Sequence, residues 1–261
     1  MTGKLHGKTA IVTGSSSGIG KAVALRFAAE GTAVCVVANH NADGGRATAA
    51  EIERAGGRAA FVQADVSLAA DCKRIADEAR AALGPVDVLV NNAGITRSRG
   101  LQEMDEAFWH HVLDTNLTSA FLLAREVVGD MLARGSGSVM NVSSVHAAAT
   151  HGGFGAYAAS KAGLCGLTRA LALEFGSRGV RFNCVLPGTI DITLYPRPGR
   201  PEPDRDTWRP RESDIQVMKR CGSPEEVAAA ICFLASDEAS YVNGAAWAVD
   251  GGLLGILKDR P

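Results

Sequence analysis

Short apolar runs recur along the chain, each followed by a longer amphipathic stretch. TAIVT (9–13) precedes a helical pattern at 20–31, and AVCVVA (33–38) precedes another at 45–56. AAFVQA (59–64) leads into 68–83, and VDVLVN (86–91) into one long helical pattern from Met104 to Leu132. SVMNV (138–142) leads into an Ala-rich helix around Tyr157, followed by VRFNCVL (180–186) and, near the end, AAWAVD (245–250). Strands that stay apolar without strict alternation are buried on both faces, which is the habit of a parallel sheet. With right-handed crossovers the alternation predicts an α/β fold, a Rossmann-like doubly wound parallel sheet of about seven strands with helices on both faces.

One segment breaks the pattern. Residues 196–210, PRPGRPEPDRDTWRP, hold five of the nine prolines. Proline fixes φ and removes a donor, so regular structure is not expected there. The reading is one domain over residues 1–261, with a substrate-covering lid at about 189–222.

The 261 residues are enough for one large core. Lys+Arg 27 against Asp+Glu 28 gives a formal charge of −1, which carries no polyanion-binding signature and argues against nucleic acid as a partner. No run of about eighteen apolar residues spans a membrane. The start, MTGKLHGKTAIVTG, reads as the approach to a strand and not as a secretory segment. Cysteines 35, 72, 165, 184, 221 and 232 form no Cys-x-x-Cys, so they read as free thiols in a reducing, cytoplasmic setting, with no metal site.

Candidate chemistry gathers where strands end. TGSSSGIG places Gly14, Gly18 and Gly20 between the first strand and its helix, where backbone amides and a helix N-terminus meet a pyrophosphate. A side chain on these glycines is expected to block the phosphates. Asp65, closing the third strand, is either an acceptor for an adenine amino group or a helix cap. Asn91, Asn92, Ala93 and Gly94 close the fourth strand, where small residues leave room for a ribose. Tyr157 and Lys161 stand one helical turn apart on a shared face.

Taken in order, TGSSSGIG, Asp65-Val66, NNAG (91–94), Asn116, Ser144, Tyr157-x-x-x-Lys161 and Pro187-Gly188 resemble the short-chain dehydrogenase/reductase family over roughly residues 5–252. The resemblance implies hydride transfer between a nicotinamide and a carbinol carbon. It makes Tyr157 the acid/base, Lys161 its electrostatic partner and a ligand of the nicotinamide ribose, Ser144 the holder of the substrate oxygen, and Asn116 the holder of a relay water. Ser143 is the neighbouring candidate, but the spacing favours Ser144. A free phenol loses its proton near pH 10, and a nearby ammonium lowers that value. Cofactor contacts are implied for Gly14, Ser16, Ser17, Gly18, Ile19, Gly20, Asn39, His40, Asp65, Val66, Asn92, Ala93, Gly94, Tyr157, Lys161, Pro187, Gly188 and Ile190. The resemblance also implies that the Tyr157 helix, kept thin by its small residues, packs against its copy in another subunit, as a homotetramer or homodimer.

Two departures bear on the cofactor. Asn39 stands where NAD-preferring relatives carry Asp, and His40 stands where NADP-preferring ones often carry Arg. The loop offers only Ser15, Ser16 and Ser17, so NAD is the expected cofactor, with NADP also admissible. Ile192 stands where the family's Pro-Gly-x-x-x-Thr has its Thr, with Thr189 before it and Thr193 after it, so Ile190 backbone groups are expected to hold the carboxamide. His146, His151, Phe154, Tyr195 and Trp208 are the expected substrate lining. They point to a small-molecule substrate, a polar alcohol, sugar or polyol, and the lid's few large apolar residues argue against a steroid. The alternatives are an NADPH-dependent 3-oxoacyl-[acyl-carrier-protein] reductase and a non-catalytic nucleotide-binding regulator.

Overall fold

The computed structural model describes residues 3–192 and 216–255. Thr193, Tyr195, Trp208 and most of the expected lid lie outside the described residues. The strands are β1 (Thr9–Thr13), β2 (Ala33–Ala38), β3 (Ala59–Gln63), β4 (Val88–Asn91), β5 (Gly137–Val142), β6 (Val180–Pro187) and β7 (Ala246–Val249). The helices are α1 (Gly18–Ala29), α2 (Ala42–Arg54), α3 (Ala69–Leu83), α4 (Glu106–Leu113), α5 (Ser119–Arg134), α6 (Gly155–Phe175) and α7 (Pro224–Ala235).

All seven strands are parallel in the order β3-β2-β1-β4-β5-β6-β7. Residues of β1, β2 and β4 are buried throughout, as their unbroken apolar runs require. One core layer gathers Phe27, Val34, Val90 and Ile231; the other gathers Ile11, Ile75, Leu123 and Phe182. Each large side chain buried this fully is worth about 1.5–3 kcal/mol. The strand order reverses between β1 and β4, so their carboxyl ends open a crevice.

Three features differ from the sequence reading. The 104–132 pattern is two helices, α4 and α5, joined by a π-helical turn over Asp114–Thr118. Within this turn the Asn116 side chain accepts from Ile95 N and donates to Ile95 O, a tertiary contact invisible to periodicity. Helix α7 was not anticipated, although Ser-Pro-Glu-Glu announces it. The Ser223 hydroxyl and the Glu226 carboxylate cap each other's backbone N–H, and Pro224 opens the helix. Strand β7 is mostly exposed, because it is the sheet's edge.

The ends of the 189–222 segment meet. Asp191 N donates to Gly222 O (2.8 Å), and Gly222 N donates to Thr189 O (3.0 Å).

Candidate active site

The glycine loop is shaped by its own protein neighbours. Gly14 has φ +65°, and a Cβ there would lie 2.9 Å from Ala93 Cα. A Cβ on Gly20 would lie 2.3 Å from Gly14 O. Close packing of the loop, α1 and the residues after β4 therefore requires glycine at these two positions. Gly18 is the exception, with φ +53° and only Ile192 near its absent side chain. The Ser15 hydroxyl is fully buried and donates to Val12 O (2.7 Å). Ser16 and Ser17 stay partly exposed, and Ser17 gives α1 no side-chain cap. An uncapped helix N-terminus at Gly18, Ile19 and Gly20, with no acidic residue in the first turn, fits a pyrophosphate.

After β4, the Asn92 side chain donates to Thr13 O (2.8 Å) and Gly14 O (3.3 Å). Thr13 Oγ1 accepts from the N–H groups of Asn92 and Ala93. The Asn92 amide is thus engaged in tying the glycine loop to β4, which leaves the backbone at Ala93 and Gly94 to line the crevice. Asn91 is buried and donates to Asn141 Oδ1 (2.9 Å).

On the adenosine side, Asp65 does not cap α3, whose N-cap is Leu68. Its Oδ1 accepts from the Ser67 amide (2.9 Å) and hydroxyl (2.7 Å). Burial alone would raise the Asp65 pKa, but bonds from Ser67 and Asn39 outweigh it and hold the carboxyl below its ordinary range. Val66 is buried, Asn39 is half-buried and His40 is exposed.

Tyr157, Lys161, Ser144 and Asn116 converge at the ends of β4 and β5, each at least nine-tenths buried. Lys161 Nζ donates to Val142 O (2.9 Å) and lies 5.8 Å from the Tyr157 ring centroid. A Cβ on Gly94 would lie 3.4 Å from that Nζ and 3.2 Å from Asn116 Oδ1. Asn116 is bound on three sides: it accepts from Ile95 N (2.8 Å) and donates to Ile95 O (3.0 Å) and to Ser160 Oγ (3.1 Å). Ser144 Oγ accepts from His146 N (3.2 Å), which leaves its own proton to give. Ser143 donates to Lys161 O instead (2.7 Å).

Aromatic rings surround the phenol. The His146 ring stands 5.3 Å from the Tyr157 ring, 5.0 Å from Phe154 and 5.7 Å from His151, with Nδ1 2.7 Å from Thr150 Oγ1. Burial first, and His151 second, lower the His146 pKa below 6.5, favouring the neutral ring.

At the end of β6, Gly188 N donates to Val249 O (3.0 Å), and a Cβ on Gly188 would collide with Asp250 Cα. Pro187 closes the strand. Thr189 and Asp191 make the bonds to Gly222, so the intervening Ile190 turns its own N–H and C=O to the other side.

Fold and crevice together define a dinucleotide-binding α/β oxidoreductase. The family model described as enoyl-(acyl carrier protein) reductase matches residues 14–254. The chain is 44% identical over 253 residues to 3beta-hydroxysteroid dehydrogenase 1 of Eggerthella lenta, covering 95% of this chain and 94% of that one. It is 40% identical over 255 residues to glucose 1-dehydrogenase 2 of Bacillus subtilis, covering 95% of each. A mutant short-chain dehydrogenase/reductase of Serratia marcescens superposes with a TM-score of 0.87 at 33% identity, covering 96% of this chain and 99% of that one. The chain belongs to the short-chain dehydrogenase/reductase family, enzymes that act on a CH–OH group with NAD or NADP.

Proposed function

We propose that the protein is an NAD-preferring dehydrogenase of a small polar secondary alcohol, sugar or polyol, with Asn116, Ser144, Tyr157 and Lys161 as its catalytic set. The observation that carries this is the buried meeting of Ser144, Tyr157 and Lys161 at one crevice. The Tyr157 hydroxyl makes no hydrogen bond to another described residue, so it is available to a substrate oxygen. The Ser144 proton holds that oxygen in place. Lys161 Nζ stands beside the phenol, and Tyr157 takes the hydroxyl proton during oxidation and returns it during reduction. Bound nicotinamide supplies or accepts the hydride. Gly18, Ile19 and Gly20 would hold the pyrophosphate of the dinucleotide, Asp65 would meet its adenosine, and Ile190 would offer backbone groups to the carboxamide.

His146 and His151 favour a substrate with several hydrogen-bonding groups, because His146 is a half-buried imidazole whose neutral form, which both donates and accepts, is favoured by burial. The 44% identity to a protein named as a hydroxysteroid dehydrogenase supports a second reading, an alicyclic alcohol. Several relatives named as 3-oxoacyl-[acyl-carrier-protein] reductases, one 40% identical over 253 residues, support an acyl thioester as a third. Exposed Leu173, Phe121 and Trp109 on α6, α5 and α4 fit packing against other subunits, as a homotetramer or homodimer.

The test is nicotinamide absorbance with NAD and NADP in parallel, over aldoses, polyols, hydroxysteroids and 3-oxoacyl thioesters. Oxidation of a sugar or polyol with NAD is the expected result. Turnover of thioesters with NADPH alone overturns it.

A further inference from the structure

Behind the catalytic lysine lie two sulfurs that the proposed chemistry does not use. Cys165 is on α6, one turn after Lys161, and Cys184 is in β6. Their Sγ atoms stand 3.8 Å apart, and both are free thiols. They share a small apolar cluster with Leu186. Cys184 is fully buried, whereas Cys165 keeps a 7% edge of exposure.

The pair touches the groups that place Lys161. Cys165 Sγ donates to Ser143 Oγ (3.6 Å), and Ser143 Oγ donates to Lys161 O (2.7 Å). Val185, next to Cys184, accepts at its carbonyl from Ser143 N (2.8 Å) and lies beside Val142 in the sheet. Val142 O in turn accepts from Lys161 Nζ (2.9 Å). Both sulfurs are thus attached to the clamp that holds the lysine at its backbone and at its ammonium. We propose that Cys165 and Cys184 are a peroxide-sensitive thiol pair, closing to a disulfide that displaces Lys161 and loosens its grip on the nicotinamide cofactor.

The two sulfurs have different parts. A hydrogen bond from Cys184, working against burial, draws the Cys165 thiol below its ordinary range, while the same bond and burial push Cys184 up. Cys165, the one with an edge to solvent, is therefore the attacking thiolate. Its sulfur bonds to one oxygen of hydrogen peroxide, the O–O bond breaks, and the released hydroxide leaves as water with the Cys165 proton. Cys165 is now a sulfenic acid. The Cys184 sulfur then bonds to the Cys165 sulfur, the S–O bond breaks, and hydroxide leaves as water with the Cys184 proton. Two thiols have lost two electrons, and one peroxide has become two waters. A disulfide of about 2.04 Å brings the sulfurs about 1.8 Å closer. Cys165 then leaves Ser143, and α6 is drawn towards β6 one turn from Lys161. A hydrogen bond does not survive a displacement of about 1 Å. The loosening rests on the reading of Lys161 as part of the catalytic set and a ligand of the nicotinamide ribose; the disulfide does not.

The test treats the purified, reduced enzyme with hydrogen peroxide. Free thiols are then alkylated and the peptides mapped, beside fluorescence titrations with NADH and with NADPH. A Cys165–Cys184 crosslink is expected. Cys35 and Cys72, which burial pushes up to about 12, stay alkylatable and serve as internal controls. Affinity for the cofactor that the reduced enzyme binds is expected to fall about tenfold, the worth of a hydrogen bond to a charged group, and dithiothreitol restores it. Cys184→Ala is expected to form no crosslink and to keep its affinity through the same treatment. An equal loss in that variant, or no crosslink in the wild type, overturns the proposal, and the wild-type map decides alone if the variant does not fold. Lys161→Ala separates the remaining failures. A crosslink without loss of affinity, beside a weakened Lys161→Ala, overturns only the coupling to the lysine. Unchanged affinity in Lys161→Ala itself overturns Lys161 as a cofactor ligand, and the coupling with it.

Discussion

Ser143 and Lys161 are joined by a 2.7 Å hydrogen bond from the serine hydroxyl to the lysine backbone carbonyl. The bond ties the end of β5 to α6 below the catalytic pair. Cys165 Sγ, one turn further along α6, donates to the same hydroxyl (3.6 Å). Ser143 therefore holds the scaffold, while Ser144 faces the crevice. Ser143→Ala is expected to lower unfolding free energy by about 1 kcal/mol. Ser144→Ala also loses a bond, the one from His146 N, and is distinguished by a sharp fall in kcat that Ser143→Ala does not share. Urea unfolding beside steady-state kinetics separates the two, and a reversed pattern would exchange the assignments.

Tyr157→Phe removes one oxygen and keeps the ring stacked among His146 and Phe154. Cofactor Kd should stay within about twofold, and kcat should fall by about 10²–10⁴-fold, the usual worth of a positioned acid/base. Normal turnover in this variant would remove Tyr157 from the mechanism.

Gly20→Ala tests whether the glycine loop is held by packing. The new methyl would meet Gly14 O at 2.3 Å and the Asn92 amide at 2.4 Å. Backbone cannot step aside cheaply, so about 1–3 kcal/mol of stability should be lost together with cofactor affinity. A melting temperature equal to wild type would show that the loop tolerates the displacement.

The cap of α7 should be visible in acid. Arg220 first, and the Ser223 amide second, hold the Glu226 carboxyl at about 2, below its ordinary 4.5. A carboxylate lowered by folding stabilises the native state above its unfolded value. That contribution should be complete above about pH 4.5 and lost as the pH falls towards about 2. Because the Arg220–Glu226 pair is largely exposed, the effect is small and screened by salt. Melting temperatures of wild type and Glu226→Gln, compared between pH 6 and pH 2, should converge towards the acid end.

Much of this protein is legible in its sequence. Apolar runs without alternation required two covered faces, and short strands alternating with long amphipathic patterns then left a parallel doubly wound sheet as the natural arrangement. Tyr157 and Lys161 were tied to one face by helical periodicity alone. The capping sequence before α7 was equally local, and would have revealed that helix.

What the chain order could not contain was the partner of each polar group. Asn116 reads as one residue in a long helix until Ile95 is brought beside its side chain, within a π-helical turn. Gly14 and Gly20 read as room for a phosphate, and only the fold adds that Asn92 and Ala93 pack against them from the end of β4. Local periodicity is set by backbone geometry, which each segment carries within itself. Hydrogen-bond partnership depends on segments tens of residues apart meeting at the ends of parallel strands, and only the folded sheet decides that.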